Sequence, residues 1–159
     1  MADKKEFKND FSWSFSRDNA FNTCKRKYYY SYYGSWGGWN KDADELSKKL
    51  YMLNKMTSLP MLAGSIVHDE VERTLKVLRY GRKADIDKSK ENVIKNFKQS
   101  WVQSKNKEWK ENPKWKTNLF EHYYEKTMSD QELLDIRDLM INSVDGCFAS
   151  DSYRFIHTM

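Results

Sequence analysis

The side chains best equipped for chemistry lie in the first half of the chain. Gly64, His68 and Glu72 recur at i, i+4 and i+8, a spacing that stacks them along one edge of a helix. Gly64 lacks a Cβ and lets another backbone approach that edge closely. A neutral imidazole at His68 can ligate a divalent metal, or it can serve as a packing residue beside an apolar stripe; residue type leaves both roles open. A second constellation runs through Ser14, Ser16 and Arg17, then Phe21, Cys24, Lys25, Arg26, Lys27 and Tyr28. Phe21, Cys24 and Tyr28 are separated by steps of three and four and share a helix face, while Arg17, Lys25, Arg26 and Lys27 fall largely elsewhere. Such a helix can pack its aromatic face on a core and offer its basic face to a nucleic-acid backbone. The same pattern also describes an aromatic core helix whose outer face only solubilises it.

These residues need elements to hold them, and the spacing predicts mainly helices. Phe11, Trp13 and Phe15 alternate with serines, which predicts a short extended segment over residues 11–15. Ser16 is placed to cap a helix running to about Tyr33, which Gly34, Gly37 and Gly38 stop. Asp42 followed by Glu45 resembles a capping box before a helix reaching about Met56. Pro60 opens the most regular stretch, with Val67, Val71, Leu75 and Leu78 as its apolar stripe and Gly81 closing it. A lysine-rich helix follows, turning Val93, Ile94, Phe97 and Trp101 inward. Residues 109–118 read as a loop. Ser129 and Glu132 cap a last helix with Leu133, Ile136, Met140 and Val144 on its apolar face. The expectation is about five helices, with less than about a tenth of residues in strands.

The chain has 159 residues, 28 Lys and Arg against 23 Asp and Glu, and a net charge of +5. The charge is unevenly spread: residues 79–116 hold 12 basic and 5 acidic groups, net +7, and residues 117–159 hold 3 and 8, net −5. The basic segment can attract phosphate or can be an ordinary solvated helix face, and the acidic quarter can pack against it. With 6 Trp, 10 Tyr and 8 Phe, a small core can bury much area. Two prolines, six glycines and two cysteines exclude a collagen-like chain and a disulfide scaffold. No run of 18 apolar residues is present, so no membrane partner is expected. The charged start has no apolar stretch behind it, and the two cysteines are far apart; both lead to the expectation of a cytoplasmic protein with reduced thiols.

The order Ser14-x-Ser16, then Cys24-x-Arg26-x-Tyr28-Tyr29-Tyr30, then Gly64-x-x-x-His68-x-x-x-Glu72 resembles the RecB-like branch of the PD-(D/E)XK nuclease superfamily, which includes CRISPR-associated exonucleases. The segment Tyr33-Gly34-Ser35-Trp36-Gly37-Gly38-Trp39 is similar to a version found in some bacterial members. The resemblance covers roughly residues 12–80. It implies that His68 is the metal ligand contributed by the helical part of the domain. It also implies that Arg26 and its neighbours Lys25 and Lys27 lie along a DNA path, beside which the basic pattern makes Arg17 a further DNA-binding candidate, and that Ser14, Ser16, Cys24, Tyr28, Gly64 and Glu72 are motif positions. Cys24 stands where iron–sulfur members place their first cluster cysteine. Lys25 replaces the usual proline after it, and Asp18 stands where an apolar residue is common. A cluster needs four thiolates, so two cysteines exclude an iron–sulfur cluster in this chain alone, and Cys24 is read as a small buried residue.

The superfamily's chemistry also needs an Asp on one strand and Asp/Glu-x-Lys on the next, whose carboxylates hold Mg or Mn. Asp3-Lys4-Lys5 and Glu6-Phe7-Lys8 have the right letters but lie in a polar start, residues 1–10, expected to be frayed. Glu108-Trp109-Lys110 sits in a polar context without a β-branched run. The expectation is therefore a mainly α chain, residues 11–159, forming the helical N-terminal portion of a nuclease-like α/β domain whose catalytic sheet is missing. Such a portion binds DNA, is inactive alone, and donates His68 to a site completed by a C-terminal catalytic segment or a partner chain. The alternative is a stand-alone, non-catalytic nucleic-acid-binding or protein-interaction module. A free-standing enzyme using Glu108 and Lys110 is a third reading, weakened by the absence of strand context.

Overall fold

The computed structural model describes residues 8–158, so the frayed start and the Asp3 and Glu6 triads expected there fall outside the described residues apart from Lys8 to Asp10. The chain is mainly helical, as its spacing predicts, and divides into two compact units, Met1–Lys55 and Met56–Met159.

In the first unit, helix α1 spans Phe15–Thr23. Its N-cap is Ser14 and not Ser16: Ser14 is extended, and its Oγ accepts from the Arg17 N–H at 3.3 Å, whereas Ser16 already lies in the first turn. Residues 8–14 run to this cap without forming a strand, so the extended segment expected there does not join a sheet. The single helix expected up to Tyr33 is broken at Cys24, whose backbone is extended (φ −161°, ψ 107°). Its thiol accepts from the Lys27 N–H at 3.4 Å and caps α2, Lys25–Tyr29. A π-helical turn, Tyr30–Gly34, continues it. Helix α3, Glu45–Asn54, is capped by Asp44 rather than Asp42, because Asp44 Oδ1 reaches the Ser47 N–H at 2.9 Å. That bond holds the Asp44 carboxyl below its ordinary range. Tyr28, Ser35 and Tyr51 are the buried centre of this unit. A Cβ on Gly38 would strike the Ser47 carbonyl oxygen and lie 2.6 Å from Tyr51 Cβ, so the tryptophan-bearing loop seats on α3 through bare backbone.

In the second unit, α4 (Leu59–Arg79), α5 (Ile86–Lys105) and α7 (Asp130–Ala149) pack against one another. Ser129 and Glu132 form the reciprocal capping box that their spacing predicts. Leu59, Ala63, Ile66, Val93, Phe97, Leu119, Met140 and Val144 make the core. Val93, Ile94, Phe97 and Trp101 of α5 and Leu133, Ile136, Met140 and Val144 of α7 face it as expected. On α4 the buried line is Leu59, Ala63, Ile66, Glu70 and Thr74 instead of the expected stripe. Val67 flanks the core and Leu75 is exposed, because the line that meets α5 and α7 is rotated by one position toward the N-terminus. Two-residue strands β1 (Met56–Thr57) and β2 (Asn118–Leu119) pair in parallel, with Met56 beside Asn118 and Thr57 beside Leu119. Strands this short leave no period-two signal. A 3₁₀ turn at Glu108–Lys110 and the short helices α6 (Phe120–Tyr123) and α8 (Asp151–Thr158) complete the chain. Breaks and short helices bring the α-helices among the described residues to eight, more than the five or so expected. Among the described residues no helix is long and apolar enough to cross a membrane.

Candidate nucleic-acid interface

Helices α1 and α2 bring rings and cations onto one segment. Phe11, Trp13, Phe15, Phe21 and Tyr29 are all exposed, although rings of this size are ordinarily covered. Three of them hold one another in a chain: Phe11 stacks on Trp13 at 6.1 Å, Trp13 meets Phe21 edge-on at 6.3 Å, and Phe21 meets the buried Tyr28 at 5.4 Å. The face shared by Phe21 and Tyr28 is thus real. Cys24 is exposed rather than buried, since the helix breaks there and its sulfur serves the next helix as a cap.

Lys25, Arg26 and Lys27 are exposed, and none forms an ion pair with a described residue. Lys25 Nζ lies 5.5 Å above the Phe21 ring. Arg17 departs from the outward placement expected of it. It is half-buried, its guanidinium stacks 4.5 Å above Tyr32, and its Nη1 donates to the Ser12 carbonyl at 2.7 Å. Ser14 and Ser16 share a hydroxyl–hydroxyl hydrogen bond of 3.0 Å and fix the entry to α1.

Beside Arg17 the same unit forms a cleft of about 190 Å³. Its walls include Arg17, Tyr32, Trp36, Trp39, Tyr51 and Lys55. Trp36 and Trp39 pack edge to face at 5.0 Å, Trp39 packs on Tyr51 at 5.7 Å, and Lys55 Nζ stands 5.2 Å from the Tyr51 ring. The π turn supplies Tyr32; such turns recur at functional sites because the extra residue re-aims a side chain. Residue type and spacing mark Trp36 and Trp39 only as loop decoration and pass over Tyr51, Asn54 and Lys55. Two tryptophans three apart in a glycine-rich loop are the signal the sequence offers for this cleft.

His68 and Glu72 lie on the exposed edge of α4, as their spacing from Gly64 implies. No backbone approaches Gly64: a Cβ there would meet nothing within 4 Å, which corrects the close approach expected of it. Glu72 pairs with Lys76 at 2.5 Å, and hydrogen bonding by Lys76 lowers its carboxyl from the usual value. Among the described residues no three His, Cys, Asp or Glu side chains come together to hold a metal. Mg or Mn prefers several oxygen ligands, and His68 with Glu72 does not supply them. Glu108 pairs with Lys116 at 2.8 Å, and Lys110 lies over the Trp109 ring, so the Glu108-Trp109-Lys110 run forms no ligand-and-base pair.

The basic segment of the second unit keeps most of its cations in solvent. Lys90 is tied to Asp145 of α7 at 2.5 Å, so the acidic C-terminal quarter does pack on it in part. Lys95, Lys98, Lys105 and Lys107 are exposed and form no ion pair with a described residue.

Compared with protein-family models, with curated proteins and with solved structures, the chain matches none.

Proposed function

We propose that this protein binds nucleic acid through its first unit and does not cut it with its described residues alone. The observation that carries this reading is the combination, on one segment, of exposed rings with the exposed, unpaired cations Lys25, Arg26 and Lys27. Cations on a phosphate backbone release counterions, which gives affinity without sequence preference. Exposed rings offer π-faces on which any base can stack. DNA is the polymer that the RecB-like resemblance favours.

A second reading makes the chain the helical portion of a metal-dependent DNA nuclease, with ligands completed by another segment or a partner chain. His68 and Glu72 support it: they occupy one open edge of α4, with free space over Gly64 through which such a segment can approach.

The test of binding is a titration of labelled DNA across a salt series with the wild type and Arg26→Glu. Log affinity should fall linearly with log salt. Reversal at Arg26 should weaken binding and flatten the slope by about 0.7–0.9 for each phosphate that is no longer neutralised. Binding that ignores salt, or an unchanged Arg26→Glu protein, overturns the proposal.

A further inference from the structure

We propose that the cleft of the first unit is a subsite for one unstacked base of a single-stranded nucleic acid, with Arg17 and Lys55 meeting the flanking phosphates. This rests on the nucleic-acid reading above and gives it a substrate class. The cleft's lining holds two cations and no carboxylate, so its field favours an anion. Its walls are Tyr32, Trp36, Trp39 and Tyr51, which favour a flat ring over an aliphatic chain. At about 190 Å³ it is smaller than the roughly 300–1,000 Å³ of sites for drug-sized ligands, so it suits one ring system with the sugar–phosphate outside.

The polar groups are arranged for the same guest. Asn54 Nδ2 donates to the Ser31 carbonyl and to Ser35 Oγ, both at 2.8 Å, and Asn9 Nδ2 donates to the Tyr32 carbonyl at 2.9 Å. With their amide nitrogens engaged, the two side-chain carbonyl oxygens remain as acceptors for the N–H edge of a base. Arg17 spends Nη1 on the Ser12 carbonyl, and its remaining N–H groups are available to phosphate oxygens. Duplex bases are paired and stacked and do not present a free ring to such a cleft. The cleft therefore discriminates single strands from duplexes, which the surface cations of α2 do not.

The experiment compares a labelled fifteen-nucleotide oligothymidylate with a fifteen-pair duplex by fluorescence anisotropy at one salt concentration. The proteins are wild type, Trp36→Ala, Trp36→Phe, Lys55→Gln and Arg26→Glu, each checked for helicity. Wild type should prefer the single strand. Trp36→Ala should lose about fivefold or more of single-strand affinity, the range expected when one stacking ring is removed, and Trp36→Phe should recover most of it. Lys55→Gln, at an exposed position, should weaken the single strand and leave the duplex unchanged. Arg26→Glu should weaken both. If both polymers bind with no single-strand preference, or if Lys55→Gln and a folded Trp36→Ala stay within twofold of wild type, the cleft proposal fails and the surface-binding reading stands. If neither polymer binds wild type, both fail. If Trp36→Ala does not fold, Lys55→Gln decides.

Discussion

Glu70 carries a residue-scale lesson about what spacing conceals. By type it belongs outside, and the apolar stripe of α4 assigns the inner face to Val67, Val71 and Leu75. In the structure Glu70 is buried, 5% exposed. Burial alone pushes a carboxyl upward, and here it is outweighed. Arg73 grips both carboxylate oxygens, Nε at 2.8 Å, and Asn92 reaches them at 3.4 Å. Together with Ser89 these bonds hold Glu70 below the ordinary Glu value near 4.5. A carboxyl lowered in the folded state contributes stability above its unfolded pKa, and that contribution is lost as pH falls through the folded pKa. Acidification below the ordinary Glu value near 4.5 should therefore progressively remove it. Glu70→Gln should be less stable at pH 7 by about 1–2 kcal/mol, a low figure because Arg73 is 44% exposed and screened by solvent. Its melting temperature should fall less than that of wild type on acidification. Parallel pH profiles for the two proteins would remove Glu70 from the acid response. A sequence read by period alone sees the polar letter, not the three partners that permit its burial, one on its own helix and two on α5.

At the scale of elements, α5, α7 and the Ser129 capping box were legible because long helices repeat their apolar period several times. The break at Cys24 was not. It depends on one extended residue whose sulfur substitutes for the Ser, Thr, Asp or Asn oxygen usual at a cap. The paired strands were invisible because two residues carry no alternation. The loop from Ser35 to Asp44 was marked by its glycines, but two of them act for different reasons. Gly37 takes a left-handed backbone, φ 77°, while Gly38 is needed for closeness, since α3 backbone occupies the space of its missing Cβ. Gly38→Ala must lift the loop from Ser47 and Tyr51, which shifts Trp39 and reshapes the cleft. The expected cost is about 1–3 kcal/mol, the range for overpacking a closed interface. Thermal unfolding followed by tryptophan fluorescence should show an earlier transition than wild type, and single-strand binding should weaken with it. Wild-type melting would mean that the loop adapts without cost.

For the whole molecule, the decisive contrast is between groups that bind phosphate and groups that activate water. Cations are exposed on both units, and on the first they share a segment with exposed rings, which is what the proposed retention of a nucleic-acid strand requires. Cleavage needs convergent oxygen ligands for a hard cation, and among the described residues no three His, Cys, Asp or Glu side chains converge, while five of the carboxylates are engaged elsewhere. Glu70 is locked to Arg73, Glu72 to Lys76, Glu108 to Lys116 and Asp145 to Lys90. Glu121 accepts from the Leu59 N–H at 3.0 Å at the start of α4. The outward placement of Lys25, Arg26 and Lys27 and the shared edge of His68 and Glu72 were legible in the spacing, while that of Arg17 was not. The cleft was not, because loop, π turn and α3 meet there only after folding. Incubating residues 1–159 with DNA and Mg²⁺ or Mn²⁺ should give no cleavage above background, even where binding is saturated. His68→Ala should leave strand affinity within twofold and stability within about 0.5 kcal/mol, as expected for an exposed side chain. Robust metal-dependent cleavage by this chain, abolished by His68→Ala while the fold persists, would instead place the histidine edge in a working metal site.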